Sequence, residues 1–245
     1  MDTQTRHALK QDSFVQATSS SIGWMQAHRS NILRIAIPSA VALIAIIAGA
    51  AVYNQRSEAA DIALGKALTT NSSTLRQAGM PEALAASTFA SSADRAKAAN
   101  QQFVEAADHY GWLPAGKNAL YFAGITYIEM GQTANAEKDL KKTAESSDSN
   151  LSSLGKLALA GLYRQTNRNS EAIDLYKQLI TKPTNTVPAA TAQLQLAGLY
   201  ETIKPEEAKK IYAEVKDKDK TGAAGQIAAA KLNGPAPAPA RTTRH

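Results

Sequence analysis

Few side chains in this 245-residue sequence are placed to do proton, metal or nucleophile chemistry. The four histidines, His7, His28, His109 and His245, are scattered and lack the spacing by which neighbouring imidazoles clamp an ion. There is no cysteine, which excludes disulfide staples and thiolate metal sites without naming a compartment. His109 stands between Asp108 and Tyr110, where a packing or surface role outweighs a catalytic one. No G-x-S-x-G elbow, P-loop or G-x-G-x-x-G loop occurs. The runs "EKDLKK" at 137–142 and "KDKDK" at 216–220 read as solvated mixed-charge faces. Within the first, Glu137 and Lys141 stand four apart and support a helix by a few tenths of a kcal/mol. The expectation is a protein with no catalytic residue, no metal ligand and no cofactor.

Charge narrows the partners. The formal net charge is +6, but the first 56 residues hold five Lys/Arg (Arg6, Lys10, Arg29, Arg34, Arg56) against Asp2 and Asp12. The rest is nearly balanced and its charges are mixed in sign, which is no nucleic-acid footprint. Alanine makes up roughly a fifth of the chain, an excess that favours helix over strand.

The elements that position the side chains come in copies. "LYFAGIT" at 120–126, "LALAGLY" at 157–163 and "LQLAGLY" at 194–200 follow one another at 37 residues. Each opens a longer segment that is followed by a second helical pattern: "ANAEKDLKKTAE", "NSEAIDLYKQLI" and "PEEAKKIYAEVK". Ala136, Ala172 and Ala208 in those second segments lie 36 apart. The unit is a helix, a short turn and a helix. Repeats of this length stack, because one unit cannot bury its apolar face alone.

The spacing also predicts the packing. Leu120, Ala123, Gly124 and Tyr127 fall on one helical face. Gly124, Ala160 and Ala197 are small residues where the two helices of a hairpin cross. Tyr127, Tyr163 and Tyr200 wedge against the partner helix, where Ala136, Ala172 and Ala208 leave room. Leu140, Tyr176 and Tyr212 fill the next layer. Gly131 and the "TNRNS" run supply turns, and Pro183, Pro188 and Pro205 punctuate the chain. Upstream, Ala99, Phe103 and Ala106 repeat the second-helix pattern, and "SEAADIALGKALTT" at 57–70 is expected as its partner helix after which a polar loop spans 71–92. Downstream, "TGAAGQIAAAKL" reads as a capping helix, and 233–245 as a Pro/Ala-rich disordered tail.

Residues 32–53, "ILRIAIPSAVALIAIIAGAAVY", form the one candidate membrane segment, uncharged from Ile35 to Val52. At about 1.5 Å per residue, such a helix covers one hydrocarbon core. Pro38 falls in its first turns, where a missing donor costs least. A cleaved signal peptide fits poorly, because the run is preceded by a long leader and exceeds the usual h-region. A core helix would need a large core around an all-apolar surface. Lys/Arg bias favours the N-terminus inside. The leader, 1–31, is then cytoplasmic, and it reads either as a short amphipathic surface helix with Trp24 near the headgroups or as an unstructured tail. Residues 54–232 form the exported domain, with its clear repeats at about 117–215.

On these residues the chain resembles the tetratricopeptide repeat, a helix–turn–helix unit of roughly 34 residues. The small residue, the tyrosine and the second-helix alanine are present, the usual tryptophan is absent, and the period is longer. The implied fold class is all-α: a single transmembrane helix followed by a tetratricopeptide-repeat-like α-solenoid of helical hairpins. The whole layout, with "HYGWLPAGKNALYFAG" at 109–124, resembles the YfgM-like family, ancillary subunits of the SecYEG translocon. That resemblance implies a bacterial inner-membrane protein, periplasmic in its C-terminal domain, whose partners are the translocon, periplasmic chaperones or exported clients. A structural scaffold of another envelope complex is the other expectation.

The groove positions of the tetratricopeptide repeat carry over to Asn118, Tyr121, Ile125 and Glu129 in the first unit. In the later units they carry over to Leu157, Arg164, Gln165, Leu194 and Glu201. The Lys and Asn residues that grip a terminal carboxylate in some such repeats are missing from those places. A groove of apolar and mixed polar character would suit an extended segment or a helix. Tyr121, Leu157 and Leu194 fit equally as packing between neighbouring units.

Overall fold

Alanine-rich segments punctuated by Gly, Pro and Asn fold here into helices joined by short turns. The computed structural model describes residues 29–76 and 88–233. The leader as far as residue 28, part of the loop after residue 76 and the Pro/Ala tail from residue 234 lie outside the described residues. Nine helices and no strand occur among the described residues. The one β-like feature is an isolated parallel bridge between Leu75 and Phe89. The chain divides into two compact units, Met1–Arg56 and Ser57–His245.

The first unit contains most of helix α1 (Arg29–Asn71). Every described side chain from Arg34 to Arg56 is exposed, including Ile35 at 70% and Ile46 at 67%. The helix is long and apolar enough to cross a membrane, with a mean hydropathy of 2.5 over its best 18-residue window. Two boundaries differ from expectation. The helix starts earlier, so Pro38 lies inside it, past the first turns, where its ring leaves the Arg34 carbonyl without its usual donor. It also continues to Asn71, so the helix expected separately at 57–70 is the end of α1. The link "NQRSEAA" at 54–60 contains neither Gly nor Pro, and Gln, Arg, Glu and Ala all favour helix, so nothing breaks it.

In the second unit, the end of α1 is followed by α2 (Ser92–Tyr110), α3 (Pro114–Glu129), α4 (Thr133–Ala144), α5 (Ser149–Gln165), α6 (Asn169–Thr181), α7 (Ala189–Ile203), α8 (Pro205–Lys218) and α9 (Ala223–Asn233). From α2 onward each helix packs on its successor, and α5 on α3 and α9 on α7 make smaller contacts. The pair α2 and α3 runs antiparallel. On α2 and α3, Asn100 meets Thr126 while Phe103 stacks on Phe122 at 5.3 Å.

Local chemistry sets the ends. Ser91 caps α2 by accepting from the Asp94 amide at 3.1 Å, and Asp148 caps α5 by accepting from Asn150 at 2.8 Å. The first two clear hairpins turn alike. The Gln132 amide donates to the Tyr127 carbonyl at 2.9 Å and the Arg168 amide to the Tyr163 carbonyl at 2.8 Å. The preceding residues, Gly131 and Asn167, take the left-handed φ of +70° and +59° that such a stop requires. The third hairpin has a shorter link: Lys204 separates the helices and Pro205 opens α8, its fixed φ suited to a first turn.

The repeat positions pack as spaced. Ala136, Ala172 and Ala208 are at most 2% exposed, and Leu140, Tyr176 and Tyr212 at most 4%. Ala160 and Ala197 are fully buried, and a Cβ on Gly124 would come within 2.8 Å of the Leu140 side chain. Tyr163 and Tyr200 are buried, Tyr127 only partly. A second cluster joins Ala67 of α1 to Ala99, Phe103 and Ala106 of α2 and Ala119 and Ala123 of α3.

Candidate functional site

The groove positions sit on α3, α5 and α7, the first helices of the hairpins, and they separate by chemistry. Tyr121, Ile125, Leu157 and Leu194 are half-buried and pack against the core cluster that runs through α4 to α9. Burial raises the Tyr121 phenol above its ordinary pKa, and its ring meets Phe122 edge-on at 5.2 Å. Asn118, Glu129, Arg164, Gln165 and Glu201 are exposed. Aligned on Tyr121, Leu157 and Leu194, the positions four residues on are Ile125, Gly161 and Gly198. A Cβ on Gly161 would meet nothing within 4 Å, so the surface there is smooth and open.

Arg164 and Glu201 lie at the ends of α5 and α7, and the Arg164 charge acts on the Glu201 carboxyl without a direct ion pair among the described residues. The Arg164 Nη1 lies 3.8 Å from where a Gly198 Cβ would stand. Glu201 accepts from the Tyr212 hydroxyl at 2.9 Å and pairs with Lys231 of α9 at 3.0 Å. Burial works against the Glu201 charge, but the Lys231 ammonium and the Tyr212 hydroxyl outweigh it and hold the carboxyl below its ordinary range. Burial and the Glu201 carboxylate raise the Tyr212 phenol. Glu201 therefore ties α7 to α8 and α9 as well as facing solvent.

A second ionic cluster escaped the sequence reading apart from one pair. Glu137 of α4 is 2.7 Å from Lys141, as its spacing predicts, and 2.6 Å from Arg168 in the turn before α6. Arg168 also pairs with Glu171, and its guanidinium lies 4.0 Å from the centre of the Tyr163 ring. The Tyr163 hydroxyl donates to Glu137 at 3.1 Å. Arg168, then Lys141, hold the Glu137 carboxyl down at about 2. The cluster crosses from one repeat to the next, so the spacing within a single helix does not show it. A weaker cation–ring contact, Lys204 at 5.7 Å from Tyr200, recurs at the next hairpin.

His109 is exposed and donates from Nδ1 to the Glu105 carbonyl at 2.9 Å. Asp108, Asp139 and Tyr127 line a crevice of about 160 Å³ between α2, α3 and α4. Burial pushes the Asp139 carboxyl up, and burial with the two carboxylates pushes the Tyr127 phenol up. No group of three or more His, Cys, Asp and Glu is gathered as metal ligands among the described residues. The buried amide of Asn100 donates to the Ala123 carbonyl at 3.1 Å and to Thr126 at 3.0 Å, fixing α2 on α3. No repeat signal pointed to that pair, because each residue occurs once at its position. No family model matches the chain, and comparison with curated proteins and with solved structures finds no significant match.

Proposed function

We propose that this chain is a single-pass membrane protein whose helical hairpins form a tetratricopeptide-like α-solenoid that binds other proteins. Residues 32–53 lie in the bilayer, the N-terminus is cytoplasmic, and the hairpins are periplasmic, beside the SecYEG translocon, where they assist folding or hand-over of exported proteins. The layout similar to the YfgM-like family motivates the last step. The observation that carries the binding reading is the sequential packing of helices that repeat at 36–37 residues. Such an array offers a long continuous face. Exposed Asn118, Glu129, Arg164 and Gln165 alternate there with half-buried Tyr121, Ile125, Leu157 and Leu194, a mixture suited to extended segments or amphipathic helices. No role in nucleic-acid binding is assigned.

The test is site-specific photocrosslinking from Tyr121 and Arg164 in the intact protein. An adaptor yields translocon subunits together with varied exported clients. One fixed partner at constant stoichiometry would instead mark a structural scaffold of another envelope complex.

A further inference from the structure

A cavity of about 690 Å³ opens between the first half of α5 and the second half of α6 and is closed by the loop at Pro183 and Thr184. Its walls are two polar stripes. On α5, Ser149, Ser152, Ser153 and Lys156 fall at i, i+3, i+4 and i+7, one helical face. On α6, Asp174, Lys177, Gln178 and Thr181 repeat the same spacing, and Lys182 follows at the C-cap. Leu179 and Pro183 add apolar surface. The repeat does not demand polar groups at most of these places: 36 residues earlier, Leu113, Gly116 and Leu120 stand at three of the four places of the α5 stripe, with Lys117 at the fourth.

The lining thus holds three lysines and a single carboxylate. None of Lys156, Lys177 and Lys182 forms an ion pair among the described residues, so their charges are open to a ligand. The hydroxyl protons of Ser152, Ser153 and Thr181 are committed to the carbonyls of Ala144, Ser149 and Lys177. New hydrogen bonds to a ligand therefore come from the lysines, the Gln178 amide and Ser149. The first amides of α5 are taken by Asp148, so no backbone cradle for a compact phosphate is open. No arginine fork is present either, and lysines are point charges on flexible stems. The cavity lies within the roughly 300–1,000 Å³ of ordinary ligand sites.

We propose that this cavity binds an acidic, extended peptide segment. Its carboxylates pair with Lys156, Lys177 and Lys182, and its backbone carbonyls accept from Gln178 and Ser149. The site shares no residue with the groove positions and does not depend on them.

Fluorescence anisotropy on the full chain in detergent micelles tests this, with a labelled peptide of alternating Glu and Ala and its Gln-for-Glu twin as probes. The acidic peptide binds and the twin does not. Combining Lys156→Gln, Lys177→Gln and Lys182→Gln weakens binding by about tenfold, while Lys216→Gln, Lys218→Gln and Lys220→Gln together, an equal loss of charge, change it by less than about twofold. Asp174→Asn tightens binding, an effect that a purely structural role for the cavity does not produce. Equal losses in the two triple variants, equal binding of the twin, no binding at all, or displacement by inorganic phosphate at the peptide's own concentration would each overturn the proposal. Circular dichroism of each variant confirms an unchanged fold, since the substituted lysines other than Lys156 are exposed.

Discussion

Among single residues, Glu137 carries the sharpest electrostatic consequence. Its folded pKa of about 2 lies below the ordinary 4.5, because Arg168 and Lys141 favour the charged form. The fold therefore holds fewer protons there than the unfolded chain does between those values. The stabilisation is complete above pH 4.5 and disappears as pH falls toward 2. The pair with Arg168 is partly solvated, with side chains 37% and 22% exposed, so screening reduces its worth to about 1 kcal/mol. Glu137→Gln should lower stability by that amount at pH 7 and by almost nothing at pH 2. Urea unfolding of the full chain in micelles at both pH values measures it, and a constant difference would remove the ionic account. Of this cluster, only the Glu137–Lys141 pair was legible in the sequence, since it lies on one helix. Arg168 was read as part of a turn, because nothing local reveals which carboxylate a turn residue meets 31 positions back. Asn100 and Thr126 were invisible for the same reason.

At the level of helices and turns, periodicity carried most of the information. The small residues and the second-helix alanines are buried as the spacing predicts, and of the tyrosines Tyr163 and Tyr200 are buried while Tyr127 is only partly so. Ala160→Leu should overpack the α5–α6 crossing and cost roughly 1–3 kcal/mol. Retention of wild-type stability in thermal unfolding would mean that the crossing is looser than its burial indicates. The turns were readable as turns, but Asn167 was not singled out as the residue with positive φ. Asn167→Val there should destabilise by about 1–2 kcal/mol, and Asn167→Gly should be nearly neutral, both read from unfolding midpoints. Helix boundaries were less legible. The join between the apolar run and residues 57–70 is unbroken because the sequence holds no stop signal, so a change in hydropathy was mistaken for a change of element.

For the molecule as a whole, the all-helical class and the apolar N-terminal helix were both legible, since each rests on composition and period rather than on remote contacts. The role of the groove positions was not. Tyr121, Leu157 and Leu194 pack on the core while staying half-exposed, and a helical period cannot separate those two roles. The polar stripes on α5 and α6 were overlooked because each contains residues that, alone, belong on any solvated helix. The proposed membrane placement rests on exposed side chains from Ile35 to Val52 that, apart from Ser39, are apolar, a surface that water disfavours by roughly 25 cal/mol per Å².

Protease access to residues 54–245 in spheroplasts tests the proposed anchored, exported arrangement most directly. The account predicts that added protease degrades the helical hairpins while the membrane is intact and leaves a protected fragment holding residues 32–53. Digestion only after the membrane is ruptured would contradict the orientation, and with it the periplasmic, translocon-side role.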